Sequence, residues 1–129
     1  MSTLEERLRA LRQARELLQA MTAGADLAQA LRDLAAVALR QYPGDAEVDA
    51  GLSSSNPGQQ QAWGEALATT RSLIEVLMRR LPASDRWRLW ARGVDRHYPE
   101  ASYLPGHPNS PVPWSPTFLD PMKPLRSAL

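Results

Sequence analysis

Two tetrapeptides, Arg-Gln-Tyr-Pro at residues 40–43 and Arg-His-Tyr-Pro at residues 96–99, stand 56 positions apart in a chain of 129 residues. The offset holds without a gap through the segment before them. Ala10, Leu11, Arg15, Leu17, Arg32, Ala35, Arg40, Tyr42 and Pro43 match Ala66, Leu67, Arg71, Leu73, Arg88, Ala91, Arg96, Tyr98 and Pro99, nine identities in 34 columns. Leu18 with Ile74, Leu31 with Trp87 and Leu34 with Trp90 are conservative replacements. Unrelated amphipathic helices rich in Ala, Arg and Leu give some matches by coincidence. Tyr-Pro closing two equally placed helices is harder to obtain that way, and it argues for two copies of one helical hairpin.

The apolar spacing supplies the helices. Leu4, Leu8, Leu11, Leu18 and Met21 form one face of an amphipathic helix, with Ser2 or Thr3 as cap and Glu5 or Glu6 as its capping-box partner. After Thr-Ala-Gly-Ala-Asp, the spacing predicts a second helix capped by Asp26, with its stripe at Leu27, Leu31, Leu34, Ala35, Ala38 and Tyr42. Pro43 ends it, because the residue before a proline is pushed out of the helical region. Residues 44–58 carry glycine, serine and acidic residues without a period and read as a loop or linker. Asn56, Pro57 and Gln59 then give a cap, a first-turn proline and a capping-box acceptor for a third helix. Its stripe is Trp63, Leu67, Thr70, Ile74 and Leu77, and it ends near Leu81 and Pro82. Ser84 is expected to cap a fourth helix bearing Trp87, Trp90, Ala91, Val94 and Tyr98, stopped by Pro99.

One such hairpin cannot hide its apolar stripe, whereas two copies hide theirs against each other. The expected fold is therefore all-α, a four-helix arrangement from two duplicated helical hairpins (1–43 and 59–99, joined by the linker 44–58) that form one domain, with an extended proline-rich C-terminal arm over 100–129. Eight prolines between Pro99 and Leu129 leave no room for a helix or central strand there. Tyr103, Leu104, Val112, Trp114, Phe118, Leu119 and Met122 make the same stretch too apolar for a solvated spacer. It either wraps the helices or reaches a partner. Pro105, Pro108 and Pro111 repeat with the period of a polyproline II edge, and Pro121 to Arg126 fits a Pro-x-x-Pro-x-basic pattern.

The segments Ala-Arg-Glu-Leu-Leu (14–18) with Ala-Leu-Arg-Gln-Tyr-Pro (38–43), and Thr-Arg-Ser-Leu-Ile (70–74) with Val-Asp-Arg-His-Tyr-Pro (94–99), resemble a small uncharacterised family of short proteobacterial proteins. In that family an Arg-Glu-Leu-Leu helix precedes a helix ending Leu-Leu-Arg-His-Tyr-Pro. The resemblance covers about 35 residues of each half, so that the chain reads as two tandem copies, and it departs at Asp95, where an aliphatic residue is expected, and at Gln41, where a histidine is. It implies a bacterial helical accessory protein of the kind carried on mobile elements, and it supplies no catalytic or binding residue.

Chemistry leaves a fainter trace. The chain has no cysteine, which excludes disulfides, thiolate metal sites and a cysteine nucleophile and points to a reducing cytoplasm. The charged, amphipathic opening is not a secretory leader, and no stretch is apolar enough for a membrane span, so a soluble protein is expected. His97 and His107 are the only histidines, ten apart across a proline, without an acidic partner at ligand spacing. No phosphate-binding glycine loop and no nucleophile elbow occurs. Glu5 with Glu6, and Asp45, Glu47 and Asp49, fit helix N-terminal charge and a solvated loop. The reading is a non-enzymatic protein without catalytic, cofactor or metal residues.

Two surfaces stand out instead. Leu89 lies outside the tryptophan stripe of the fourth helix, and with Tyr103, Trp114 and Phe118 it is a candidate for binding another protein or a second copy of the chain. Arg86, Arg88, Arg92 and Arg96 give the same helix a basic face, and the alternative reading is a small nucleic-acid-binding regulator that lays them along phosphates. A formal charge of +1 on the whole chain favours the solvated, locally paired account of these arginines. Fourteen of the fifteen basic residues are arginine, which looks like the codon bias of a GC-rich genome and weakens any argument from guanidinium geometry.

Overall fold

Thr3 opens the first helix as its sequence requires: its hydroxyl accepts from the Glu6 N–H and the Glu6 carboxylate accepts from the Thr3 N–H, each at 3.1 Å. The computed structural model describes residues 3–54 and 56–100, and within them the fold is all-α, with α1 (Leu4–Thr22), α2 (Gln29–Gln41), α3 (Asp45–Asp49), α4 (Pro57–Arg80) and α5 (Arg86–Asp95). The expected arm over 100–129 lies outside the described residues from 101 onward. At α4 the Asn56 side chain accepts from the Gly58 and Gln59 N–H groups, with Pro57 in the first turn. The Gln59 carboxamide does not return the bond to Asn56. It accepts from the Ser54 hydroxyl instead.

α2 and α5 each pack against both α1 and α4, and α3 lies on α1. The core between them holds Leu11, Leu17, Leu18 and Met21 from α1, Ala35 and Ala38 from α2, Leu67, Leu73, Ile74 and Leu77 from α4, and Trp87, Ala91 and Val94 from α5. Alanine at 35, 38 and 91 lets backbones approach closely where the longer leucines of α1 and α4 fill the centre.

Tyr42 and Tyr98 are buried, and each donates its hydroxyl to a carbonyl 31 residues earlier at 2.7 Å, Leu11 and Leu67 respectively. Those two acceptors are themselves 56 positions apart, so one bond is made twice at the same register. A backbone carbonyl thus satisfies each hydroxyl. Tyr42 is also the C-cap of α2 with extended backbone (φ −68°, ψ 137°), the conformation that Pro43 demands. Both prolines after the tyrosines are buried.

Three local expectations change. Residues 44–58 are not a structureless linker. They contain α3, and Val48 and Leu52 are fully buried. The helix closes by a Schellman motif in which Gly51 N–H donates to Val48 O and Leu52 N–H to Glu47 O, both at 2.9 Å, with φ of 76° at Gly51 and 57° at Leu52. Glycine takes that left-handed turn without strain, and Leu52 accepts it because its side chain enters the core. Asp26 does not cap α2, which starts at Gln29 behind Ala28 without a side-chain cap. Leu34, assigned to the α2 stripe, stands 48% exposed at the edge of the helix.

Burial raises both tyrosines well above the ordinary phenol value of 10, and for Tyr42 the nearby Tyr98 phenol adds to the shift. Above pH 10 the unfolded chain releases these protons while the folded chain keeps them. The two groups therefore contribute stability that is fully present below pH 10 and lost above it, at about 1.4 kcal/mol per pH unit for each. In urea unfolding between pH 9 and the folded-state values, Tyr42→Phe and Tyr98→Phe should each remove about half of the alkaline slope and cost about 1 kcal/mol at neutral pH. An unchanged slope would contradict the buried placement.

Candidate functional site

The site resolves around α5, whose start is set by a carboxylate one residue later than expected. Asp85 rather than Ser84 is the N-cap, accepting from Trp87 N–H at 2.8 Å. From there Trp87, Ala91 and Val94 turn inward and bury. Trp90, expected on the same stripe, stacks parallel to Trp87 with ring centroids 5.9 Å apart and stays 38% exposed at the edge of the helix.

Trp87 is fixed from the α1–α2 turn. A Cβ on Gly24 would lie 2.7 Å from its six-membered ring, so glycine is needed for the indole to sit there. Asp26 accepts from the Trp87 indole N–H at 2.9 Å and from Arg86 at 3.1 Å. These bonds, the indole's first, hold the Asp26 carboxyl below its ordinary value. The carboxylate predicted to start α2 thus joins the first hairpin to the second.

The four arginines of the basic face divide. Arg86 pairs with Asp26 and lies 4.6 Å over the Trp87 ring. Arg88, half-buried, donates to the carbonyl of Leu81, the C-cap of α4, at 2.9 Å. Arg92 and Arg96 are exposed and make no ion pair among the described residues. Leu89 is 54% exposed, the largest exposure among the large apolar side chains described. Gly93 is also exposed, and a Cβ there would meet nothing within 4 Å. The remaining partner-binding candidates Tyr103, Trp114 and Phe118 lie outside the described residues, as does His107.

Sequence reading missed Arg71, the one buried arginine of the described chain. Its guanidinium pairs with Asp95 on α5 and with Glu75 at 3.5 Å, and it sits 5.7 Å over the Tyr98 ring. The signal was present at Asp95, which stands where the matching residue of the first half is Leu39. For Arg15, the counterpart of Arg71, the matching positions hold Gln19 and Leu39 instead of carboxylates, and it remains half-buried, with its Nε unpaired. On the other side of α5, His97 Nε2 lies 3.0 Å from the Glu6 carboxylate, whose bonds to Thr3 hold it below its ordinary value. The acidic clusters are structural as well: Asp45 and Glu47 occupy the first turn of α3, and Asp49 pairs with Arg12.

Among the described residues no group of three His, Asp or Glu side chains converges at metal-binding range, and no helix is long and apolar enough to cross a membrane. Compared with known proteins, the chain matches no family model, no curated protein and no solved structure.

Asp95→Leu, which copies the first half of the chain, leaves the Arg71 guanidinium with a single longer-range partner. It should destabilise by about 2 kcal/mol, short of the full cost of breaking a buried pair because Asp95 is partly solvated. Glu75→Gln should cost under about 1 kcal/mol. Equal and negligible losses in chemical denaturation would remove the structural role assigned to Asp95.

Proposed function

We propose that the protein is a non-enzymatic bacterial accessory protein that acts by binding another protein or itself, built on a duplicated helical hairpin with a proline-rich C-terminal arm. What carries the reading is the outward placement of Leu89, with Trp90 beside it, on a helix whose other apolar residues are all used in the core. Covering a leucine of this exposure contributes about 1 to 2 kcal/mol to association, and the arm offers Tyr103, Trp114 and Phe118 as further apolar contacts. The matched tyrosine bonds support the duplication, since unrelated helices have no reason to place the same donor and acceptor at one register.

The rival reading, a nucleic-acid-binding regulator using Arg86, Arg88, Arg92 and Arg96, draws on the open state of Arg92 and Arg96. Its cost is the prior engagement of Arg86 and Arg88. Retention on duplex DNA that a triple Arg88→Ala, Arg92→Ala, Arg96→Ala variant abolishes would favour it.

Ending the chain after Tyr103 tests the arm. Light scattering and pull-down should show the shortened protein losing its self-association or a recovered partner. Stability, oligomeric state and partners all unchanged would end the proposal for the arm, and Leu89→Ser without effect on either readout would end it for α5.

A further inference from the structure

Leu89 and Gly93 are one helical turn apart, and Arg92 and Arg96 follow Leu89 at three and seven positions, so the four share the outward side of α5. The one carboxylate between residues 86 and 96, Asp95, is drawn to α4 by Arg71. The exposed side therefore sets an outward leucine beside two arginines with no carboxylate of the helix among them, and the bare Gly93 leaves it open to close approach by another backbone.

Charge discriminates among the candidate occupants of this surface. A second copy docking by the same face would bring two sets of arginines together, since a twofold contact sets a patch against itself. The chain's own residues 101–129 carry Asp120 against Lys123 and Arg126 and offer no acidic complement. A phosphate backbone would satisfy Arg92 and Arg96 but give Leu89 no apolar contact, and the whole chain's charge of +1 supplies little long-range attraction. An amphipathic helix with acidic flanks satisfies both halves of the surface: its apolar stripe covers Leu89 and lies over Gly93, and its carboxylates meet Arg92 and Arg96.

The geometry points to this face of α5 as a docking site for an apolar, acidic-edged helix of another protein. The inference rests on the interaction reading above and names the partner's chemistry. The test is a display library of helical peptides about four turns long, with a fixed apolar stripe and edge positions randomised among acidic, neutral and basic residues. It is selected on the full chain and compared on Leu89→Ser and on Arg92→Glu/Arg96→Glu, all three first matched by circular dichroism.

Enriched peptides should be acidic at the edges, and each variant should weaken them about tenfold or more. The charge-reversed variant should select basic edges instead. Enrichment of neutral or basic edges, no enrichment above the Leu89→Ser background, or acidic peptides that bind the charge-reversed chain unchanged would overturn the assignment. So would a gain in peptide affinity on Trp114→Ala/Phe118→Ala, which would make the chain's own C-terminal segment the occupant, or duplex DNA binding lost on charge reversal and kept by Leu89→Ser. Neutral-edged peptides that still need Leu89 defeat only the acidic partner and leave the interaction reading standing. Peptides indifferent to Leu89 defeat both.

Discussion

The hydroxyls of Tyr42 and Tyr98 reach from the ends of α2 and α5 to carbonyls in the middle of α1 and α4, and the arrangement of the bundle follows from that reach. A phenol buried among leucines must place its O–H on an acceptor, and a helix interior offers only carbonyls already serving their own turn. Each tyrosine therefore fixes the axial register of its helix against its hairpin partner. At α2 the proline that follows Tyr42 turns the chain away at once, whereas α5 ends earlier, at Asp95, and Tyr98 makes its bond from the turn beyond.

Departures from this matched pattern carry the asymmetry of the molecule. Arg15 and Arg71 begin from equivalent positions, yet Glu75 and Asp95 draw Arg71 into the interior across Tyr98, while Gln19 and Leu39 leave Arg15 half-buried. Leu31 becomes Trp87, whose indole needs a donor's partner and finds it in Asp26, with Gly24 clearing space for the ring. Asp33 corresponds to Leu89 and Val37 to Gly93, so α5 exposes a leucine where α2 exposes an aspartate, and a bare glycine where α2 exposes a valine. The second half thus has the more polar interior, with Thr70 and Arg71 both buried.

How far the sequence could be read depends on the range of the interaction that decides each feature. The helices α1, α2, α4 and α5 were legible because burial of a stripe imposes the helical period on it, and the Thr3 and Asn56 caps were legible because a cap acts within three residues. The division of the four arginines on α5 was not legible, since Asp26, which takes Arg86, lies 60 residues away, and the Leu81 carbonyl, which takes Arg88, carries no side-chain signature. α3 was hidden because five residues are too few to show a period, though Ala-Gly-Leu after Asp-Ala-Glu-Val-Asp is the closing signature of a short helix.

By itself, then, the sequence determined the all-helical class, the breaks at Pro43, Pro57 and Pro82, and the correspondence between residues 56 positions apart, because stripes, prolines and caps act over a few bonds. Only the tertiary structure decided that Asp26 leaves its helix for an indole, that Arg71 enters the core, and that Leu89 faces outward beside Arg92 and Arg96, which make no ion pair among the described residues. The reason is one of distance: whether a polar or apolar group is satisfied depends on which neighbours the packed helices bring within about 3 to 4 Å, and those neighbours are remote in the chain.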